Sequence, residues 1–74
     1  MRKLTNSLEF KAAMVRAGYD QKKLAQRLNI SENALSRKIS NQNEFKLSEV
    51  LAIQKIFNID DNQREVIFFN LDGE

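Results

Sequence analysis

The sequence predicts an all-α fold, a compact bundle of about five short helices. Three observations carry the prediction. Apolar residues recur at three- and four-residue spacing along the chain, the period of one helix face. The stretches are opened by Asn, Asp or Ser and closed by Gly or Asn, residues that cap helix starts and tolerate the left-handed closing turn. There is no Pro and there are only two Gly, Gly18 and Gly73, so turn punctuation is light.

One domain is expected over residues 1–74, with a core at about 7–59 and a C-terminal helix or dimerisation segment at about 60–71. Asn6-Ser-Leu-Glu9 is a capping-box pattern. Leu8, Ala12 and Val15 follow at helical spacing and Gly18 ends the helix, giving a first helix at about 7–17. Asp20 caps a second helix at about 21–28, with Leu24, Ala25 and Leu28 inward. Asn29 takes the left-handed turn and Ile30 returns to the core. Ser31 caps a third helix at about 32–40, with Leu35 and Ile39 inward. A polar loop, Asn41-Gln-Asn-Glu44, comes next. Phe45, Leu47, Val50, Leu51, Ile53, Ile56 and Phe57 form the most apolar segment, so a fourth helix at about 47–57 is expected to be the central buried one. Asn58 and Ile59 repeat the roles of Asn29 and Ile30. Asp60 and Asp61 start a fifth helix, where their charge suits the positive end of the dipole. Val66-Ile-Phe-Phe69 has the composition of a strand as well as of a short helix. The helix is favoured because every earlier element is helical.

The stretch Gln21–Ser40 has the layout of a helix-turn-helix. Two helices crossing steeply need a small residue where they approach, and Ala25 is placed there. The turn needs positive φ, which Asn29 supplies. Leu24, Leu28, Ile30, Leu35 and Ile39 bind both helices to the core. The outer side of the second of these helices is polar and basic, as a helix entering a major groove requires. Charge is distributed to match. Net charge is only +2, but residues 1–41 carry nine Lys/Arg against three acids, a balance of +6, and residues 42–74 carry three against seven, a balance of −4. A basic half holding the motif suits a phosphate backbone. An ordinarily charged solvated surface is the competing reading.

These residues resemble the lambda-repressor-like, Cro/XRE family of helix-turn-helix regulators. Leu24-Ala-Gln-Arg-Leu-Asn-Ile-Ser31 looks like that family's Leu-Ala, two polar residues, Leu-Gly-Ile-Ser. Leu35-Ser-Arg37 resembles its Ile-Ser-Arg, and Phe45–Ile59 is similar to the helix that follows. The variant with Ser-Arg-Lys-Ile and then Phe-x-Leu looks closest to small regulators of phages and mobile elements of Gram-positive bacteria. The resemblance covers about residues 7–59. Asn29 stands where Gly is usual, Lys38 where an apolar residue is common, and Lys46 where Ser or Thr usually caps the fourth helix. The resemblance implies a transcriptional regulator, a repressor, acting on double-stranded DNA in the cytoplasm of a bacterial or phage-infected cell, nucleoid-associated.

With Leu35 and Ile39 inward, Asn33, Arg37 and Ser40 fall on the opposite face, flanked by Ser36 and Asn41. Asn pairs bidentately with adenine and Arg with guanine, so Asn33, Ser36 and Arg37 are candidate base readers. Glu32 either accepts from cytosine or satisfies the helix dipole. Gln21 starts the second helix, whose N-terminal amides suit a phosphate, and the resemblance implies that it also buttresses the recognition helix. Lys22, Lys38, Asn43 and Lys46 are candidate phosphate contacts, with a plain solvated surface role the competing reading for the lysines.

One helix reads few bases, so a two-fold homodimer on an inverted-repeat operator is expected, with half-sites about 34 Å apart. Val66–Phe69 cannot all point one way from a helix. Phe68, Phe69 or both are therefore candidate dimer contacts, with Leu71 extending the patch. The competing reading has these residues capping the core. There is no His and no Cys, which removes the commonest general base, thiolate chemistry and a zinc site. No Gly-rich phosphate loop is present and the core is small, so an enzyme is not expected, nor is a cofactor or small-molecule ligand. No apolar run reaches the roughly 20 residues of a membrane span. If the chain is complete, it carries no sensing domain, and control would come from concentration, operator competition or a partner. The alternative function is a protein-interaction module on the same fold, an antitoxin or anti-repressor component.

Overall fold

A computed structural model describes residues 3–71. Five α-helices follow in order: α1 (Ser7–Arg16), α2 (Gln21–Leu28), α3 (Glu32–Ile39), α4 (Leu47–Phe57) and α5 (Asp61–Phe68). Two-residue strands flank them, β1 (Lys3–Leu4) and β2 (Asn70–Leu71), paired antiparallel with Lys3 opposite Leu71 and Leu4 opposite Asn70. The all-α expectation holds, and this small pair is an addition to it. It joins the two ends of the described chain, helped by the Asn6 N–H donating to the Ile67 carbonyl at 2.7 Å. None of the helices among the described residues is long and apolar enough to cross a membrane.

Helix boundaries follow the capping chemistry. The side chains of Asn6, Asp20, Ser31 and Asp60 accept from the backbone N–H three residues on, satisfying a donor that has no partner inside the helix. Asn29 and Asn58 close α2 and α4 in the left-handed region, φ 59° and 56°. Gly18 sits at φ 80° after α1. Lys46 has no side-chain acceptor, so α4 is capped from the other direction: its Lys46 N–H donates to Glu49 Oε1 at 2.8 Å.

The core centres on Phe10, which is fully buried. Its ring stacks on Phe45 at 5.6 Å between centroids and meets Phe57 and Phe68 edge-on at 5.5 and 5.8 Å. Such offset and edge-to-face pairs add about 0.5–1.5 kcal/mol each beyond area burial. Ala13, Met14, Leu24, Ala25, Leu35, Ile39, Val50, Ile53 and Ile67 complete the core, and Ile30 and Ile59 pack against it from the turns. Gln54, Asp61 and Arg64 bind α4 to α5 through a shared network, with Gln54 Nε2 donating to Asp61 at 2.9 Å and Arg64 Nη1 to Gln54 at 3.2 Å.

Three expectations about faces change. The helical-period stripe Leu8, Ala12 and Val15 is not the buried face of α1: all three are exposed, Leu8 at 81% and Val15 at 70%. The inward face of α1 is Phe10, Ala13 and Met14, because the aromatic ring buries more apolar surface than any side chain of the other stripe. Leu47 and Leu51 are also exposed, so α4 is buried along Val50, Ile53 and Phe57 only. Phe68 lies in the core, as described below.

Candidate nucleic-acid interface

The turn between α2 and α3 is built locally. The Asn29 N–H bonds to the Ala25 and Gln26 carbonyls, and the Ile30 N–H also reaches the Ala25 carbonyl, at 3.0 Å. This closes α2 with its last carbonyls satisfied. Ser31 restarts the chain as α3, accepting from the Ala34 N–H at 3.0 Å. Leu24, Ala25, Leu35 and Ile39 are buried beneath the pair. The buried Leu35 and Ile39 orient α3, so that Asn33, Ser36 and Arg37 fall on its outer side.

Glu32, Asn33, Ser36 and Arg37 are all exposed on the outer face of α3. The Arg37 guanidinium joins no ion pair among the described residues. Lys22, Asn43 and Lys46 are exposed, and Gln21 is half-buried as the first residue of α2. Gln21 makes no side-chain hydrogen bond to α3 among the described residues. The loop after α3 turns back onto it: the Gln42 and Asn43 N–H groups both reach the Arg37 carbonyl, at 2.8 and 3.3 Å. Gln42 is thereby set beside Ser40, to whose hydroxyl it donates at 3.2 Å.

Lys38 is not placed as expected. Its ammonium donates to both oxygens of Glu49 at 2.6 Å, and both side chains are 12% exposed. It is one residue on from Arg37, and that step turns it from the open face onto α4. Burial alone would raise the Glu49 carboxyl, but the hydrogen bond and charge of Lys38, with the Lys46 N–H and ammonium, outweigh it and hold the carboxyl below its ordinary range. Lys38 is thus a strut between α3 and α4, and its charge is compensated by Glu49.

Asn41 also leaves the outer face of α3. It adopts φ 68°, and its amide pairs reciprocally with the backbone of Thr5, accepting from the N–H at 2.8 Å and donating to the carbonyl at 3.0 Å. The Ser7 hydroxyl donates to the Ile39 carbonyl at 2.6 Å. The N-terminal segment therefore holds the C-terminal end of α3 through three hydrogen bonds.

Phe68 cannot be a dimer contact in this fold. It is 4% exposed and packs edge-on against Phe10 and Phe45, since α5 turns its Ile67 and Phe68 side inward. Phe69 is half-buried against the same core, and the exposed apolar residue of this run is Val66, at 49%. The backbone of Leu71 pairs in β2, and its side chain lies outside the described residues. No group of three or more acidic side chains able to hold a metal occurs among the described residues.

A family model described as helix-turn-helix matches residues 10–62, a span that contains α2, the turn, α3 and all of α4. Neither curated proteins nor solved structures gave a match.

Proposed function

Because the chain belongs to the helix-turn-helix family of Cro/XRE type, whose members are DNA-binding regulators, we propose that it is a sequence-specific repressor that inserts α3 in the major groove and binds an inverted-repeat operator as a two-fold dimer. The observation that carries the proposal is the outer face of α3. It presents Asn33, Ser36 and Arg37 to solvent together, with the one adjacent cation, Lys38, withdrawn onto Glu49. An amide, a hydroxyl and an uncompensated guanidinium on one helix face are the donors that base edges in a major groove require. Glu32 stands in the first turn, positioned for cytosine N4 or for the helix dipole.

Phosphate contacts come from around that face. Lys22 at the start of α2, Asn43 in the loop and Lys46 before α4 are exposed, and the N-terminal amides of α2 lie beside Gln21. Lys38 drops out of this set. A dimer doubles the number of bases read and matches the two-fold symmetry of an inverted repeat.

The test is selection of bound fragments from a random duplex library at about 0.15 M salt, where weak phosphate-only binding is suppressed. Enrichment of an inverted repeat supports the whole reading. Enrichment of a single half-site supports α3 readout and removes the dimer. No enrichment removes DNA reading and leaves a protein-interaction module on the same fold.

A further inference from the structure

Helix α1 is apolar on two opposite faces. Phe10, Ala13 and Met14 fill the core, while Leu8, Ala12 and Val15 are exposed. At about 100° per residue the second set forms a stripe opposite the first. A second apolar stripe left exposed on a helix whose first is buried is the kind of surface that marks an interaction site. Beside the stripe, Glu9 and Arg16 line a shallow groove between α1 and α5 that also contains Val66. Three of the large exposed apolar side chains among the described residues, Leu8, Val15 and Val66, therefore gather on this one side.

We propose that this face is where a second copy of the chain packs, with the two α1 helices antiparallel and crossing at Ala12. This deepens the dimer part of the proposed function and rests on it. The charge pattern on one flank of the stripe selects the occupant, Lys11 being the lone charge on the other flank. Glu9 and Arg16 lie on the same flank of the stripe, two turns apart. A two-fold axis perpendicular to the helix pair keeps that flank on one side and reverses chain direction. Glu9 of each copy then meets Arg16 of the other, in two equivalent ion pairs. The same operation sets Leu8 against Val15 of the other copy and brings the two Val66 side chains to the same edge. Ala12 at the crossing lets the backbones approach closely, since interaxial distance follows the size of the contacting side chains. Each acidic helix start also faces a basic helix end, which the opposed dipoles favour. Leu47 and Leu51, on α4, are the other two large exposed apolar residues among the described residues.

The experiment is sedimentation equilibrium of the full chain, with circular dichroism to verify folding of every variant. Wild type is expected to dimerise and Val15→Lys to be monomeric. Glu9→Arg and Arg16→Glu place only like charges across the interface, and each is expected to weaken self-association about tenfold or more. Mixed in equal amounts, those two variants are expected to form a heterodimer near wild-type strength, because each then supplies the charge the other needs. A mixture no tighter than either variant alone, or a Val15→Lys protein as dimeric as wild type, overturns this interface and leaves the dimer standing. A wild type that remains monomeric both free and on operator DNA overturns the dimer itself.

Discussion

Arg37 and Lys38 are adjacent cations on α3, yet only Arg37 stays on the open outer face, because one step along the helix turns Lys38 onto Glu49. Arg37→Ala is expected to weaken specific binding by about 1–3 kcal/mol and to relax preference at one base pair, read by competition between operator variants. An unchanged specificity profile would remove Arg37 from the readout. Asn41 acts through structure instead. Asn41→Gly keeps the left-handed backbone accessible but deletes the reciprocal pair with Thr5. It is expected to cost about 1–3 kcal/mol, from hydrogen bonds lost in a half-buried site, visible as a drop in thermal midpoint. At Asn29, which also has positive φ, Asn29→Ala should cost up to about 1 kcal/mol, because Ala keeps the Cβ but loses the short polar side chain that makes the left-handed conformation tolerable to Asn. Replacement by Gly should be nearly neutral there.

At the level of elements, helix ends follow short-range chemistry, and the buried face does so only where a single apolar stripe is present. Asp20, Ser31 and Asp60 cap α2, α3 and α5 as their side chains dictate, so those starts are legible from a few residues. The faces of α1 were not legible, since Leu8, Ala12, Val15 and Phe10, Ala13, Met14 both fit a helical period. The tie between α3 and α4 has a pH signature. Glu49 titrates lower in the folded protein than in the unfolded chain. Its stabilisation is therefore complete above the unfolded value of about 4.3 and fades as pH falls through the lower folded value. Urea unfolding of wild type and Glu49→Gln should show the variant weaker at pH 7, with the difference vanishing in strong acid. A gap that persists unchanged in acid would mean that the carboxylate charge is not what holds these helices.

Across the whole molecule, an aromatic cluster spanning α1, the α3–α4 loop, α4 and α5 unites the bundle through Phe10, Phe45, Phe57 and Phe68. Phe10→Ala is expected to cost about 3–5 kcal/mol, a large share of the 5–15 kcal/mol typical of a folded domain. Equilibrium unfolding would show a chain near its folding threshold, and a loss below about 1 kcal/mol would mean that the cluster is not the keystone. The uneven charge, +6 over residues 1–41 and −4 beyond, also acts at this scale. DNA affinity should fall linearly with salt on logarithmic axes, and Lys22→Ala should shallow that slope by about one counterion.

By itself the sequence determined the helix limits, the left-handed turns at Asn29 and Asn58, and the polar outer face of α3. Each depends on a side chain acting within a turn or two of its own backbone, through capping, positive φ or helical period. Only the tertiary structure decided that Phe10 rather than Leu8 is buried, that Phe68 lies in the core rather than on a surface, and that Lys38 answers Glu49. It also decided that Asn41 grips Thr5, 36 residues away. Those outcomes turn on which distant groups compete for the same partner, and the spacing of residues along one helix carries no record of that competition.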